Sequence, residues 1–542
     1  MQNDGQPTTF HSILFDASKD RTNAEVLAEP AHFRDLNLDQ IVDAITSGRE
    51  EYNLKPFFYH PLKDVPSITY RHEVMRDLEN EVVYAHINSF SCHMRAMRTS
   101  LELAARLRNH YQRARWFVDA VETYCDAVGR LLNDLASADI YSAGFASLRE
   151  YLATYVKSAN FIKLLAEVNK IKTDLSSIRY DLLIRDTGIT VRKYASDTDY
   201  SADVVETFAK FKQGAAKSYV VTFRPVRGVV MPDRREIGET EDYIVTFRDV
   251  PDMNHLEAKA LEFVVRLYPD IFLSMGAFYE AHVDFADDTI RVFDREVQFY
   301  IAYLDYTLTQ KQAGLRFCYP TVSTDSKEEC SCESFDLALA QKLTAASAPV
   351  VCNDFHLSGD ERIIIVSGPN QGGKTTFARA FGQLHYMASL GCTVPGSRAR
   401  LFVCDKILTH FEREETIEGL HGKLETDLMR LHAMLEEATS NSIIILNETF
   451  TSTTSEDASM LATNIMSKII ALDLMCVFVT FLDELASLGK TTVSMVSSVA
   501  ADNPALRTYE ILRKPADGLA YALAIAEKYR LTYECVKDRI RS

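Results

Sequence analysis

The chain has 542 residues, 47% of them hydrophobic, and its formal net charge is −17. This length predicts two to four domains with large cores, and the acidic balance excludes a generally basic coat for nucleic acid, so that any contact with DNA requires a local basic patch. The ten cysteines show no paired zinc spacing, which predicts reduced thiols in a cytoplasmic protein, and neither a signal peptide nor an apolar run of about 18 residues is found, so no membrane contact is expected.

The first part of the chain is predominantly helical in pattern. Residues 1 to 35 form a mixed N-terminal segment in which Phe10–Phe15 predicts a short strand. Apolar residues at helical spacing begin near Leu38, and two long helical stretches follow over about 73–135 and 145–184. A helix of about 40 residues spans about 60 Å, which favours lever arms over a compact bundle.

A β-rich segment at about 186–252 interrupts the helical pattern. Strands are predicted at Gly188–Val191, Ser218–Phe223 and Asp242–Phe247. The same segment carries basic residues that are candidates for gripping DNA phosphates: Lys210, Lys212, Lys217, Arg224, Arg227, Arg234 and Arg235. An ordinary solvated surface remains the alternative, because acidic residues lie among them.

Helical periodicity resumes near Asn254 and continues, with interruptions, to Gln312. Residues 320–334 are polar and predict a loop. The sequence therefore predicts helices that lead away from the rest of the chain, a small β-rich tip, and helices that lead back.

A glycine-rich turn follows the β-branched run at residues 363–366. It fits the P-loop pattern G-x-x-x-x-G-K-[ST], and the candidate ATP-binding residues are Gly368, Pro369, Asn370, Gln371, Gly372, Gly373, Lys374, Thr375 and Thr376. Glycines let backbone N–H groups close around phosphate oxygens, and the following helix adds the positive end of its dipole. Lys374 is expected to reach the β- and γ-phosphates, and the Thr375 hydroxyl is expected to ligate Mg²⁺.

A second apolar run, Ser442–Leu446, ends at Asn447 and Glu448. This is a Walker B arrangement, in which the acid at the strand end lies beside Mg²⁺ and the attacking water. Glu448 is the candidate to orient or deprotonate that water; the alternative is a helix-capping or salt-bridged carboxylate. Further strands are predicted over 476–480, 493–499 and 508–512, and a helical region over 519–541.

The nucleotide half resembles the MutS family of ABC-type ATPases. Residues 368–376 look like the family's GPNMGGKST, 391–396 like its G-x-x-V-P-A, and 438–448 follow its AT-x-x-S-L-V-L-x-D-E without a gap. Residues 453–457 are similar to its T-S-T-x-D, and Thr480 with Glu484 and Leu485 to its T-H-Y-x-E-L. Upstream the likeness is weaker and rests on pieces of the core and pre-ATPase segments.

The sequence departs from the family pattern at several positions. No Phe-x-Glu wedge or connector domain is found in the roughly 35 residues before the helical core, which suggests a short member that does not read mismatches by a wedge. Asn447 stands where the family has Asp, so its amide is expected to contact Mg²⁺ only through a bound water. Phe481 stands where the family has a His that contacts the γ-phosphate. Gly422 occupies the place of a Ser that reads the γ-phosphate across the dimer; Gly422 or Lys423 is the candidate substitute.

The resemblance implies a mixed fold: a mainly α-helical lever and clamp over 36–330, and an α/β P-loop ATPase domain over 331–542. It further implies a homodimeric, Mg²⁺-dependent ATP hydrolase that acts as an ATP-gated clamp on DNA in repair or recombination, with helices from about Leu519 as dimer contacts. The alternative is an ATP-responsive scaffold protein with little turnover and no DNA role, which Asn447, Phe481 and the acidic balance favour.

Overall fold

A computed structural model describes residues 10–16, 28–185, 188–194, 253–412, 422–500 and 503–516, with residues 531–533, 536, 537 and 539. It divides into two compact units. The first comprises residues 1–10, 80–140 and 145–294, and the second comprises residues 11–79, 141–144 and 295–542. Residues 36–79 and 295–330, which the sequence analysis grouped with the helical region, therefore belong to the second unit. The functional division into lever, tip and ATPase domain stays a prediction.

The helices of the described residues are α1 (Leu38–Thr46), α2 (Lys55–Phe58), α3 (Val65–Glu79), α4 (Glu81–Arg106), α5 (His110–Ser137), α6 (Ala143–Tyr155), α7 (Ala159–Ser177), α8 (His255–Leu267), α9 (Pro269–Ala281), α10 (Asp288–Gln312), α11 (Leu337–Ala345), α12 (Lys374–Ser389), α13 (Lys423–Glu437) and α14 (Ser455–Ala471). The strands are β1 (Tyr180–Arg185), β2 (Gly188–Lys193), β3 (Phe317–Cys318), β4 (Thr321–Ser323), β5 (Glu329–Ser334), β6 (Asn353–Leu357), β7 (Ile363–Ser367), β8 (Val394–Pro395), β9 (Arg398–Phe402), β10 (Ile407–Phe411), β11 (Ile443–Asn447), β12 (Met475–Val479), β13 (Thr492–Ala500) and β14 (Asn503–Arg513). Across the described part of the chain, every helix is too short or too polar to cross a bilayer.

The first unit is built on a long pair of helices. α4 and α5, of 26 and 28 residues, pack along each other and reach about 39 Å and 42 Å. α7 and α9 pack against α5. Phe117 of α5 makes edge or tilted ring contacts with Phe278, Tyr279 and Phe285, so aromatic packing joins the returning helices to this pair.

The stretches predicted over 73–135 and 145–184 are mostly helical, but each is divided into shorter helices, so the expectation of single helices of about 40 residues was wrong. The side chain of Asn80 accepts a hydrogen bond from a first-turn N–H of α4, and Asn109 does the same for α5. Ser158 caps α7 in the same way, and after Ser177 the chain turns into β1. A side-chain oxygen that satisfies the free N–H groups of a first turn begins a new helix even where apolar periodicity continues.

Two further local predictions were wrong. Phe10–Phe15 is irregular rather than a strand, because Ser12 Oγ and the N–H of Ile13 both donate to the Glu296 carboxylate. The predicted loop at 320–334 contains β4 and β5, which belong to a four-stranded sheet of order β4-β9-β5-β6.

The strand predicted at Gly188–Val191 is confirmed as part of β2, which pairs antiparallel with β1. The other two strands predicted in the tip, at 218–223 and 242–247, lie outside the described residues. So do the seven basic DNA-contact candidates between Lys210 and Arg235, and most of the helical region predicted over 519–541.

The second unit contains a six-stranded sheet of order β10-β11-β12-β7-β13-β14. The first five strands are parallel, and β14 runs antiparallel to β13. Every residue of β7, β11 and β12 is buried, as expected for parallel strands covered on both faces. The mixture of helix and sheet expected from the sequence is confirmed, and the carboxyl ends of β7, β11 and β12 meet at one edge of the sheet.

Candidate nucleotide-binding site

The glycine-rich loop, residues 368–373, joins β7 to α12 at this edge. Gly368 and Gly373 have φ of 114° and 92°, a backbone conformation that L side chains rarely adopt. Gly372 has no room for a side chain, since a Cβ there would lie 2.1 Å from Ser497 Oγ. The three glycines are thus required for the shape of the loop, and the first-turn N–H groups of α12 follow it directly.

Two neighbouring strands hold this loop in place. Ser497 of β13, which is fully buried, donates from Oγ to the Gly372 carbonyl at 2.6 Å. Arg507 of β14 donates from Nε to the Asn370 carbonyl at 3.1 Å. The sequence analysis missed both residues. No local spacing indicates them, because their contacts depend on β13 pairing with β7 and on β14 pairing with β13.

Lys374, the first residue of α12, lies folded back onto the loop. Its Nζ donates to the carbonyls of Gly368 at 2.9 Å and Pro369 at 3.1 Å, and lies 3.5 Å from Asn370 Oδ1. The side chain is only 3% exposed. Since an ammonium has three N–H donors, the loop oxygens can occupy all of them.

The charge of Lys374 is affected by its surroundings. Burial lowers the pKa of the ammonium, the Glu448 carboxylate partly offsets this effect, and the Arg507 guanidinium adds to the lowering. The two predicted catalytic residues, Lys374 and Glu448, are 74 positions apart in the sequence, and the fold brings them close enough for the carboxylate to favour the charged lysine.

The end of β11 carries the second predicted element. Glu448 follows the last strand residue, its N–H donates to the Val479 carbonyl at 2.9 Å, and its φ is 53°. This left-handed backbone is costly for a residue with a Cβ. Within the described ranges the Glu448 carboxylate forms no hydrogen bond or salt bridge and caps no helix, while Thr454 supplies the N-cap of α14. The capping alternative is therefore not supported.

Two oxygens beside Glu448 are buried without a partner among the residues that the structure describes. They are Asn447 Oδ1 and Thr449 Oγ1. Unpaired buried oxygens are costly, and oxygen ligands and ordered water are what Mg²⁺ prefers. The donor set thus fits a hydrated Mg²⁺, with the half-buried Thr375 in the first turn of α12 as the predicted ligand. Thr449 was missed by sequence reasoning, although a hydroxyl directly after Glu448 is a signal that was available.

Phe481 follows β12 and contacts the glycine-rich loop's lysine. Its ring centroid lies 4.4 Å from Lys374 Nζ, and the side chain is 50% exposed. The residue that stands in place of a histidine in the family pattern is thus an aromatic neighbour of the ammonium.

The two candidates for contact with a partner subunit begin α13. Gly422 is the N-cap residue, in extended backbone conformation and without a side-chain cap, and its carbonyl accepts from the Thr426 N–H at 3.0 Å. The side chain of Lys423 lies outside the described atoms, as do residues 413–421. Their role across a dimer stays a prediction.

Comparison with known proteins places this site within a known domain. The family model for MutS domain V matches residues 364–539, a range that contains the glycine-rich loop, the end of β11 and Phe481. The chain is 32% identical over 189 residues to endonuclease MutS2 of Thermus thermophilus and 26% identical over 178 residues to the DNA mismatch repair protein MutS of Thermotoga maritima. It is 23% identical over 240 residues to the DNA mismatch repair protein MutS of Clostridium botulinum.

These similarities cover part of each protein. The matched segments are 34%, 32% and 44% of this chain and 25%, 22% and 24% of the respective relatives. The likeness thus spans about a quarter of each relative's length.

Proposed function

This chain belongs to the MutS family through its domain V, and from that premise we propose that it is a Mg²⁺-dependent ATP hydrolase that works as an ATP-gated clamp on DNA in repair or recombination. One observation carries the proposal: the glycine-rich loop with Lys374 and the strand end with Glu448 lie at the same edge of a parallel sheet. Ligands of such sheets bind at the carboxyl ends of the strands.

The loop supplies the binding part of the proposed mechanism. Backbone N–H groups of residues 368–375 hold the phosphates at the positive end of α12. Lys374 leaves its loop carbonyls and donates to the β- and γ-phosphates. Thr375 and, through water, Asn447 would hold Mg²⁺, which would supply positive charge to these phosphates.

The strand end supplies the chemical part. The Glu448 carboxylate accepts a hydrogen bond from the attacking water and orients it in line with the γ-phosphorus. Its backbone is fixed by the bond to Val479, and no salt bridge among the described residues competes for the carboxylate. Glu448 is therefore positioned to serve water rather than a structural partner.

The DNA and dimer parts of the proposal rest on the family. Two copies would each complete the other's ATP site, with Gly422 or Lys423 reaching across. Helical arms in residues 36–330 would carry the motion to DNA, gripped by basic residues between Lys210 and Arg235 in the tip. The printed names of the relatives concern mismatch repair and endonuclease activity, and both are activities on DNA.

The test measures steady-state ATP hydrolysis with and without Mg²⁺, and with homoduplex, mismatched and branched DNA at one fixed salt concentration. We expect Mg²⁺-dependent hydrolysis whose rate changes with DNA, and its loss in Lys374→Ala. Lys406→Ala, at a partly exposed lysine paired with Glu437, is the matched control and keeps the wild-type rate. Equal rates in the wild type and Lys374→Ala would contradict the ATPase assignment.

A second candidate function is an ATP-responsive scaffold with little turnover and no DNA role. It is favoured by Asn447, which lacks the charge of the family's aspartate, and by the closed position of Lys374. Gel-shift binding across homoduplex, mismatch and junction DNA, with and without ATP, separates the two. Nucleotide-dependent DNA binding supports the clamp, and ATP binding without any shift of DNA supports the scaffold.

A further inference from the structure

The Lys374 ammonium is enclosed on all sides by groups of this chain. Loop oxygens take its three N–H donors, and the Phe481 ring lies 4.4 Å from Nζ. A cation near an aromatic face is attracted by the ring quadrupole. The ring therefore stabilises the ammonium in its folded-back position.

The backbone around Phe481 is held by hydrogen bonds, while its ring is half exposed. The Thr480 N–H donates to the Val366 carbonyl at 3.0 Å, and Thr480 Oγ1 accepts from the Leu482 N–H at 3.0 Å. The ring is half exposed, so few neighbours hold it. The contact with Lys374 thus comes from backbone placement, and the side chain can rotate away without disrupting a core.

We propose that Phe481 is a positioning residue that holds Lys374 closed on its own loop and must swing away before a terminal phosphate can take the ammonium. The inference rests on the proposed ATP site and adds a gate to it. A site populated mainly in a closed form binds its ligand with an apparent affinity reduced by the open fraction. The ring therefore weakens ATP binding while it shields Lys374 from other reagents.

The experiment replaces the ring by an aliphatic side chain of similar size. Phe481→Leu removes the π face and keeps apolar bulk, and Phe481→Tyr restores an aromatic face. Two readouts are measured on the full chain: the rate at which acetic anhydride acylates Lys374, followed by peptide mass spectrometry, and the dissociation constant of Mg²⁺-ATP. Leu488→Ala, at an exposed leucine seven residues after Phe481, is the matched control.

In Phe481→Leu we expect Lys374 to be acylated faster and ATP to bind about two- to fivefold more tightly, the range that corresponds to a partly exposed cation–π contact. In Phe481→Tyr we expect the acylation rate and the dissociation constant to stay close to those of the wild type. Leu488→Ala changes neither value. A change caused by general loosening of the fold would appear at many lysines, whereas the gate changes the acylation of Lys374 alone.

The two readouts separate this inference from the proposed function. If the wild type binds no ATP while Phe481→Leu still speeds acylation, the ATPase proposal fails and the ring–lysine contact stands. If the wild type binds ATP and Phe481→Leu alters neither readout, the gate is overturned and the ATP site stands. Weaker ATP binding in Phe481→Leu also overturns the gate, since the ring would then belong to the bound state.

Discussion

The glycine-rich loop and the end of β11 lie at the same edge of the sheet, and their polar groups are in opposite states. In the loop, Lys374 Nζ already has three oxygen partners. At the strand end, Asn447 Oδ1 and Thr449 Oγ1 have none among the described residues. The polar groups around the loop therefore bond to one another, whereas the strand end has buried oxygens without partners among the described residues.

This difference separates two kinds of contribution to ligand binding. A ligand at the loop must first displace internal contacts. Residues there therefore affect ligand binding through the free energy needed to break those contacts. A ligand at the strand end gains contacts that the protein lacks, so residues there act on the metal and the water directly. Substitutions at the strand end should therefore change chemistry, and substitutions around the loop should change affinity and stability.

The largest expected effect is at the strand end. Glu448→Gln keeps the size of the side chain but removes its charge and its ability to accept a proton. We expect ATP turnover to fall by about 10²- to 10⁴-fold, the usual worth of a general base, while ATP still binds. Single-turnover hydrolysis and filter binding measure the two quantities. Glu437→Gln, at an exposed glutamate ending α13, is the control. Normal turnover in Glu448→Gln would remove its assigned role.

The same contrast explains which parts of the fold the sequence predicts. β7, β11 and β12 were predicted because a buried parallel strand is a continuous apolar run, and each ends in a recognisable motif. The breaks at Asn80 and Asn109 were missed because one capping side chain ends a helix without disturbing the apolar period on either side. β4 and β5 were missed because both pair with β9, about 70 to 80 residues further along the chain, and their mostly polar residues give no apolar alternation.

The sequence likewise predicts some residues of the candidate site and misses others. Gly372 and Lys374 follow from local spacing, because the loop's shape is decided within eight residues. Ser497 and Arg507 are 125 and 137 residues from their partners, and only the strand order brings them to the loop. That Thr449 Oγ1 has no partner within the described ranges is likewise a property of packing, which no motif encodes.

A smaller effect at the strand end tests its proposed metal contact. Asn447→Asp adds a negative charge at a position that is 7% exposed and whose Oδ1 has no partner in the described part of the chain. We expect the Mg²⁺ concentration for half-maximal ATP binding to fall by about three- to tenfold, because hydrogen bonds to charged groups are stronger than neutral ones. Mg²⁺ titration of nucleotide binding measures this shift. Asn441→Asp, exposed before the same strand, separates a local effect from a general change in charge, and an unaltered Mg²⁺ requirement would exclude Asn447 from the metal site.

The glycine-rich loop precedes α12, and a buried charged pair, His385 and Glu329, lies near the C-terminal end of that helix. Both ring nitrogens of His385 face acceptors, with Nδ1 2.8 Å from the Phe381 carbonyl and Nε2 2.8 Å from Glu329 Oε1. A neutral imidazole has one N–H, so this arrangement fits the imidazolium. Burial alone would lower the pKa of His385, but the Glu329 carboxylate and both hydrogen bonds raise it above 6.5.

A raised histidine pKa contributes stability that is complete below the unfolded pKa and is lost as pH rises through the folded value. We expect the free energy of unfolding to decline across that window with a slope of at most about 1.4 kcal/mol per pH unit, and His385→Gln to flatten it. Urea unfolding at several pH values measures the slope. In His72→Gln the slope should persist, because burial lowers the pKa of His72 to about 4 and this residue is neutral throughout. If the wild type and His385→Gln had equal slopes, the His385–Glu329 pair would not titrate in this pH range.

The smallest effect concerns the brace that keeps the loop closed. Ser497→Ala removes the hydroxyl that donates to the Gly372 carbonyl at 2.6 Å, so we expect a loss of about 1 kcal/mol in unfolding free energy, the usual net worth of a hydrogen bond. The control lies in the same strand. Ser494 Oγ is also buried but has no hydrogen-bond partner among the described residues, so Ser494→Ala removes no bond and is expected to be neutral or slightly stabilising. Denaturant unfolding of the two variants compares them directly. Equal stability losses would mean that Ser497 acts by filling space, and that the loop is held by its glycines and Arg507 instead.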